Sequence, residues 1–450
     1  MTPIMSYAIS LPPLTNIIDT IDPISEFTEE DLDEFRESIY LIIDDFIKKN
    51  VIEYMYYDFE KRVFEHTYTI VEMLYEEVID SFKGINISEL VEEGMSVYFS
   101  LLKQPRSYPG PYITTPKDAI DIQTQIQKLR NIPQPPQNTP GWFDFRWTRL
   151  TASSAWKALD SDAKRNEIIY GKCKPIDKAK YSRVNTKSAM HHGHKYEPIS
   201  TIFYEDLFDT EIEEFGCLPD EFNVEFGASP DGINVKRGNQ RYGYLLEIKN
   251  PVSRKLTGVP KREYWVQMQF QMHVTGLKTC DFLETVFKEY DTEEDSKKDG
   301  TFNKTPDNKQ KGVIVCFSDG YKPIYHYSPW NCTESEFDEW YDQLLDSQES
   351  VTWIQNIYWK LTNYSCVTVS YNEDWFTAVK PIFEDLWKIV VAERVSGYDH
   401  RKPKSRAKKP PISSPLIDGH YPKFPPPPLI DIEPPKIVLK INTFNTTFKN

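Results

Sequence analysis

The pattern Asp/Glu-x-Lys, a carboxylate two residues before an ammonium, occurs four times in this chain, as Asp162/Lys164, Glu247/Lys249, Asp295/Lys297 and Asp307/Lys309. With 27% of residues charged, such pairs arise by chance, so context must separate them. Only Glu247/Lys249 lies in an apolar run, Tyr244-Leu245-Leu246-Glu247-Ile248-Lys249. The two-residue period of a strand there puts both charged groups on one face and Leu246 and Ile248 on the other. Burying such a pair is expensive unless it serves a metal or a reaction. Metal-assisted phosphodiester hydrolysis is chemistry that uses it: the carboxylate holds a hard divalent cation, and the lysine orients the attacking water or stabilises charge developing on phosphate. A solvated surface strand has the same pattern, so the dyad needs support from elsewhere.

That support stands upstream, in GASPDGI at 227–233, where Gly, Pro and Gly frame Ser229 and Asp231 in a tight turn. A hairpin from this turn into the Glu247 strand brings Asp231 and Glu247 together, and two carboxylates on neighbouring strands can share one cation. Alone, an Asp-Gly turn is ordinary. Paired with the strand that follows, it forms a candidate metal site.

The elements that must position these groups are legible in the rest of the chain. From Thr28 a capping box with Asp31 opens a helix with Leu32, Phe35, Ile39, Ile42, Ile43 and Phe46 on one face. A second helical pattern runs through Val63, Val71, Leu74, Val78 and Phe82 to Gly84, and a shorter one follows in SELVEEGMSVYFSLL. Residues 1–103 therefore read as an acidic all-α N-terminal domain. Residues 104–140 read as a Pro-rich linker around one polar helix, AIDIQTQIQKLRN. From Gly141 helices alternate with β-rich segments such as YGYLLEIK and GVIVCF, the pattern of an α+β (α/β) domain reaching to 395. The stretch from Glu334 to Val395 reads as helical throughout, Pro381 notwithstanding. Residues 396–450 are a Pro-rich basic tail expected to be extended. Its Arg401–Lys409 run fits a nuclear localisation signal or a DNA-gripping arm as well as no specific role.

Composition narrows the function classes. The formal charge is 53 − 68 = −15, which excludes a globally basic nucleic-acid binder and confines any DNA site to a local patch. Such a patch exists: from Gly141 to Met190 eleven Lys and Arg face five acids, a local +6. Its Lys172–Lys187 part also fits a solvated loop. The 6 cysteines have neither CxxC pairs nor regular spacing, so neither zinc, an iron–sulfur cluster nor a disulfide scaffold is expected, and they read as free thiols in a reducing compartment. His191, His192 and His194 lack an HExxH order and read as solvated helix residues, with phosphate contact by one of them as the functional alternative. No apolar run is long enough for a membrane helix, and the N-terminus is a poor signal peptide. A soluble, intracellular protein without a membrane partner is expected.

Taken together, the SPDG turn, the LEIK strand and YWVQMQFQMHVTG at 264–276 resemble the lambda exonuclease and YqaJ-like viral recombinase family of the PD-(D/E)xK nuclease superfamily. The Gln267-x-Gln269-x-x-Met272 pattern sharpens the likeness. So do Trp142 with Arg146-Trp-Thr-Arg149-Leu-Thr151-Ala152-Ser153, and Gly193-His-Lys-Tyr-Glu197. The motifs keep the family's order over roughly residues 141–290.

The resemblance implies a PD-(D/E)xK core with a mixed central sheet flanked by helices. It implies that Asp231, Glu247 and the carbonyl of Ile248 bind Mg²⁺, with Mn²⁺ a workable substitute, and that Glu197 positions a second metal or the water. Lys249 would be the catalytic lysine and Gln269 its support. Arg146, or Arg149 at the alternative spacing, would bind a 5′ phosphate with Ser153 and Ser229. The implied activity is a 5′-to-3′ exonuclease on linear double-stranded DNA in recombination or repair. The implied partners are DNA with free ends, further copies of the chain, and a single-strand annealing protein or recombinase. A viral origin would place it in host cytoplasm or virus factory, or packaged in the virion. An endonuclease, or a catalytically silent DNA-end-binding protein, stands as the alternative. Tyr264, Trp265 and Phe270 could stack on bases, though at helical spacing aromatics usually belong to a core.

Overall fold

A computed structural model of the protein describes residues 29–402, apart from 82–85, 111–115, 137–138, 177–184, 187 and 349. The Thr28 cap, the Gly84 stop, the Lys178–Lys187 part of the basic stretch other than Asn185 and Thr186, and the tail from 403 lie outside the described residues.

The N-terminal helices are α1 (Glu29–Lys49), α2 (Phe59–Ser81) and α3 (Ile87–Leu101), with a 3₁₀ turn, Val51–Met55, between the first two. On α1 the i, i+4 row Phe35, Ile39, Ile43 and Ile47 is buried, as amphipathic periodicity predicts. α3 crosses it at Gly94, where an added Cβ would lie 2.6 Å from Ile39 Cγ2, so only glycine allows the approach. Leu74, expected on the inner face of α2, is instead exposed. The helical dihedrals break at Tyr75 (φ −119°, ψ 19°), so the face read from an unbroken helix does not persist there.

Next come α4 (Pro116–Arg130), α5 (Pro140–Trp147), β1 (Leu150–Thr151), the short α6 (Ala152–Ala155), a 3₁₀ turn (Trp156–Leu159), α7 (Asp162–Cys173) and α8 (Ala189–Phe208). The sheet-forming part then runs β2 (Ile212–Glu213), β3 (Leu218–Pro219), β4 (Phe226–Ala228), β5 (Gly232–Asn234), β6 (Leu245–Lys249), α9 (Arg262–Thr275) and β7 (Thr279–Glu289). α10 (Glu293–Lys298), β8 (Lys311–Ser318), β9 (Pro323–Tyr327), α11 (Glu334–Ser347), β10 (Thr352–Ser370) and α12 (Glu373–Ser396) complete it.

The main sheet is mixed, in the order β2-β5-β6-β7-β10-β8-β9, with β6 and β7 parallel and the other neighbours antiparallel. This is the α+β core with a mixed sheet flanked by helices that the motifs imply, with a helical region N-terminal to it. One expectation fails: residues 352–370, read as part of a helical stretch, form the longest strand, seated between β7 and β8. Their β-branched and aromatic content, including Trp353, Ile354, Ile357, Tyr358 and Trp359, favours the pleated surface.

The two faces of β6 are dressed differently. Leu246 and Ile248 join a cluster with Tyr196, Ile199, Phe203 and Tyr204 of α8. Leu245 faces the other way, into a core shared by α9, α12 and the N-terminal helices. That core is continuous: Tyr54 stacks near Trp265, Trp265 Nε1 donates to the Arg106 carbonyl at 3.0 Å, and Trp375 Nε1 donates to the Ile52 carbonyl at 3.1 Å. Within 104–140, Ile126 and Leu129 of α4 are buried in the same cluster. Trp265 and Phe270 are thus core residues rather than base-stacking ones, whereas Tyr264 faces a cleft.

Because the N-terminal helices and α9 share Trp265, Trp265→Ala is expected to destabilise the whole unit by about 3–5 kcal/mol. In urea, circular dichroism and fluorescence should report one coincident transition at a lower midpoint; two separated transitions would show independent cores.

Candidate active site

Beyond the carboxyl end of β6 opens a cleft of about 1110 Å³, lined by residues of α5, α7, α8, the β4–β5 turn, β6 and α9. The β5–β6 hairpin forms as expected, with Gly232 paired to Leu246 and Ile233 to Leu245. Asp231 is held at its start: its amide donates to the Leu246 carbonyl at 3.1 Å, and its Oδ2 accepts from the Ile248 amide at 2.6 Å. Gly232 is required here, since a Cβ would lie 2.2 Å from Ile212 Cγ2 of the neighbouring strand.

Glu247 is fully buried, with 0% of its surface exposed. One carboxylate oxygen takes the Lys249 ammonium and the other accepts from Gln271 Nε2 at 2.7 Å. Lys249 also donates to the Ile248 carbonyl at 3.0 Å and lies 5.3 Å from the centre of the Tyr264 ring. Burial disfavours its charge, but Glu247 and Asp231 outweigh burial and hold its pKa above the usual lysine value. Asp231 shows the opposite imbalance. Burial, then the charge of Glu247, pushes its carboxyl well above the usual range, with Lys249 only partly opposing them.

Glu197 reaches the same cleft from α8, on the other layer. His194 one turn earlier lies 3.5 Å away, and its bond to Glu197 raises the imidazole pKa. The end of β6 is tied to that helix by Asn250. Its Nδ2 donates to the Gly193 carbonyl at 3.0 Å, and its Oδ1 accepts from Ser200 at 2.8 Å and from Thr285 at 2.5 Å. The other two histidines are occupied elsewhere, His191 by the Tyr325 hydroxyl at 2.6 Å and His192 by the Tyr196 ring.

Among the described residues, no three His, Cys, Asp or Glu side chains converge as a ready-made metal site. The cleft offers a carboxylate pair and the Ile248 carbonyl, with Lys249 against one carboxylate. This all-oxygen donor set fits a hard cation such as Mg²⁺. A cation held there would offset the burial and the Glu247 charge that raise Asp231.

Of the two arginines, Arg146 is the one at the cleft. It lines the cleft, donates to Ser153 Oγ at 3.0 Å and stacks 4.5 Å over Trp142. Arg149 turns away: it lies over Phe145, packs on Gly227 and donates to Thr148, and burial lowers its pKa. Ser153 and Ser229 both line the cleft, and Ser229 Oγ is enclosed with no hydrogen-bond partner among the described residues.

Gln269 is likewise corrected. Its amide donates to the Ser370 carbonyl at 2.8 Å and accepts from the Asn372 amide at 2.7 Å, joining α9 to the start of α12. The physical reason is helical phase: Gln267 and Gln271, four apart, share the face toward the cleft, while Gln269 falls nearly opposite. Sequence reasoning missed Gln271 because three glutamines at alternate positions leave the phase open. It also passed over Asn250, which directly follows the LEIK run, and Lys172, which was counted only as patch charge.

A mixed sheet thus sets two carboxylates and a lysine at one strand end, with Arg146 and Ser153 lining the same cleft. Residues 141–278 match the model of the YqaJ-like viral recombinase domain. An uncharacterised protein of Acanthamoeba polyphaga mimivirus is 28% identical over 341 residues, 67% of this chain and 60% of its own length. The chain thus spans about three fifths of that relative. Among solved structures, an alkaline exonuclease from Laribacter hongkongensis matches at 18% identity and a TM-score of 0.34, covering 57% of this chain and 94% of that one. The same enzyme in complex with dAMP matches at 19% and 0.33 over the same shares.

Asp231 provides a check on the geometry. Its folded pKa lies above its unfolded one, so its ionisation costs stability that is lost as pH rises from the unfolded value toward the folded one. Asp231→Asn should therefore melt a few degrees higher than wild type near neutral pH in EDTA, with the gain shrinking as the solution is acidified. A calorimetric pH series measures this; an equal difference at every pH would contradict the assignment.

Proposed function

We propose that the chain is a divalent-metal-dependent nuclease that degrades linear duplex DNA from a 5′ end, serving recombination or repair. The observation that carries the reading is that one cleft brings together Asp231, Glu247, Lys249 and Glu197 with Arg146, Ser153 and Ser229. The match of residues 141–278 to the YqaJ-like viral recombinase domain supports a nuclease acting on DNA. The printed identity of the Laribacter structures, as an exonuclease, concerns that protein.

In this reading Asp231, Glu247 and the Ile248 carbonyl hold Mg²⁺ or Mn²⁺, with Glu197 serving a second cation or the water. Bound there, the cation supplies charge neutralisation at the scissile phosphate and a lowered pKa for the attacking water. Lys249 stays protonated and offers its ammonium to the water and the phosphate. Gln271 fixes the orientation of Glu247 by holding its second oxygen. Arg146 presents a planar fork to a terminal phosphate, Ser153 and Ser229 add hydroxyls, and Trp142 keeps the guanidinium in place.

The division into an N-terminal helical domain, a connecting segment, a nuclease domain over 141–395 and a basic tail belongs to the same proposal, as do assembly into a homo-oligomer and an annealing or recombinase partner. Among the described residues no helix is long and apolar enough to cross a membrane.

Purified protein with Mg²⁺ should release nucleotides from the 5′ end of a linear duplex and spare a covalently closed circle of the same sequence. Glu247→Ala should slow release by more than about 100-fold, since loss of even an outer partner of a metal site costs 10–100-fold. Cutting of the circle would point to an endonuclease, and Glu247-independent binding without cleavage to an end-binding protein.

A further inference from the structure

The longest strand reaches past one of its two neighbours. β10 pairs with β7 only from Trp359, opposite Glu289, whereas its pairing with β8 begins at Thr352, opposite Ser318. Residues 352–357 therefore have β8 on one edge, and among the described residues they make no backbone hydrogen bond on the other. Thr352, Trp353, Ile354 and Gln355 are exposed there, Trp353 by 47% and Ile354 by 50%. The run Thr-Trp-Ile-Gln-Asn-Ile holds neither a charge nor a proline, the devices that usually blunt a free edge. A bulge between Trp353 and Gln355 leaves Ile354 without a partner on β8. All of this lies beyond the segment that matches the YqaJ-like domain.

Charge narrows what such an edge can accept. Trp353 stands opposite Phe317, which packs with Leu344 of α11, so the indole is on the face of the sheet that α11 covers. Its Nε1 donates to Asn356 Oδ1 at 3.1 Å, which holds the ring. From Glu334 to Trp359 the chain has seven acids and not one Lys, Arg or His. Glu334 is paired with Lys297 at 3.0 Å, and Glu336 closes the capping box with Thr333. Asp338, Glu339, Asp342 and Asp346 are exposed on α11. A free edge beside such a helix attracts cations and repels nucleic acid. Two copies joined edge to edge would bring their acidic helices together on one face, like charge toward like, so a second copy fits poorly.

We propose that residues 352–357 dock an extended, cationic segment of a partner polypeptide as an added strand of the sheet. This goes beyond the nuclease reading and does not depend on it. The segment's backbone supplies the hydrogen bonds that the free edge lacks, and its apolar side chains pack against Trp353 and Ile354. Its lysines or arginines, on the face shared with α11, meet the acids of that helix. Backbone pairing gives affinity with little regard to sequence, and the charge of α11 supplies the preference for a basic partner.

The test uses the full chain and a short fluorescent peptide of alternating Lys and Val, with binding followed by polarisation at low salt. The same peptide methylated on consecutive central backbone nitrogens cannot pair along either of its edges. It carries the same charge, so any attraction to the acidic N-terminal helices is common to both. The unmodified peptide should bind at least about tenfold more tightly than the methylated one, and than a Glu–Val counterpart. Ile354→Lys, which places a charge on the free edge, should weaken binding by about tenfold or more and leave DNA degradation at the wild-type rate. Should Ile354→Lys melt early, Thr352→Lys probes the same edge from an exposed position. Asp342→Asn with Asp346→Asn should weaken the Lys–Val peptide severalfold. Equal affinity for the methylated peptide, binding indifferent to both edge variants, or no binding by wild type overturns the proposal. So does a sedimenting oligomer that Ile354→Lys dissolves, since the edge would then be held by a second copy.

Discussion

Two carboxylates at the end of one hairpin, one of them wholly buried, repel each other, and much of the surrounding structure answers that repulsion. Lys249 neutralises Glu247 directly, yet Asp231 remains pushed toward its protonated form. Burial and the Glu247 charge hold Asp231 toward its neutral form, since an unpaired buried charge costs several kcal/mol in general. The oxygen atoms gathered there, from Asp231, Glu247 and the Ile248 carbonyl, are held by backbone, amide and ammonium groups.

The supporting groups come from elements distant in sequence. α9 contributes Gln271, which fixes the Glu247 carboxylate, and spends Gln269 on anchoring itself to the chain before α12. Asn250 locks the strand end to α8 and thereby sets the position from which Glu197 reaches the cleft. No described residue of the N-terminal helices lines the cleft, but Tyr54, in the 3₁₀ turn between α1 and α2, stacks near Trp265 of the helix that carries Gln271. Their link to the site is mechanical: a closely packed interior transmits displacement from one helix to the next.

Charge is distributed in the same spirit. The chain is acidic overall at −15, so the cations of the α5–α7 wall act as a local feature against a repelling surface. An acidic exterior disfavours indiscriminate binding of polyanions along the surface.

What one dimension of residues could establish here was whatever depends on local periodicity and local turn chemistry. The strand alternation of Leu245–Lys249, the tight turn at Asp231 and the order of the motifs already pointed to the core of the site, because each rests on contacts within a few positions. The helices with clear apolar rows, α1 and α3 among them, were legible for the same reason. Three matters were beyond its reach. Residues 352–370 became a strand because β7 and β8 offer it two ladders, a partner choice made across 34 to 91 positions. The choice of Gln271 over Gln269 depended on the rotational phase of α9 against β6, and alternate glutamines conceal that phase. Arg146 rather than Arg149 faces the cleft because Gly227 admits Arg149 against the strand. Phase, pairing partner and close approach are properties of packed pairs of elements, and packing exists only once the chain has folded.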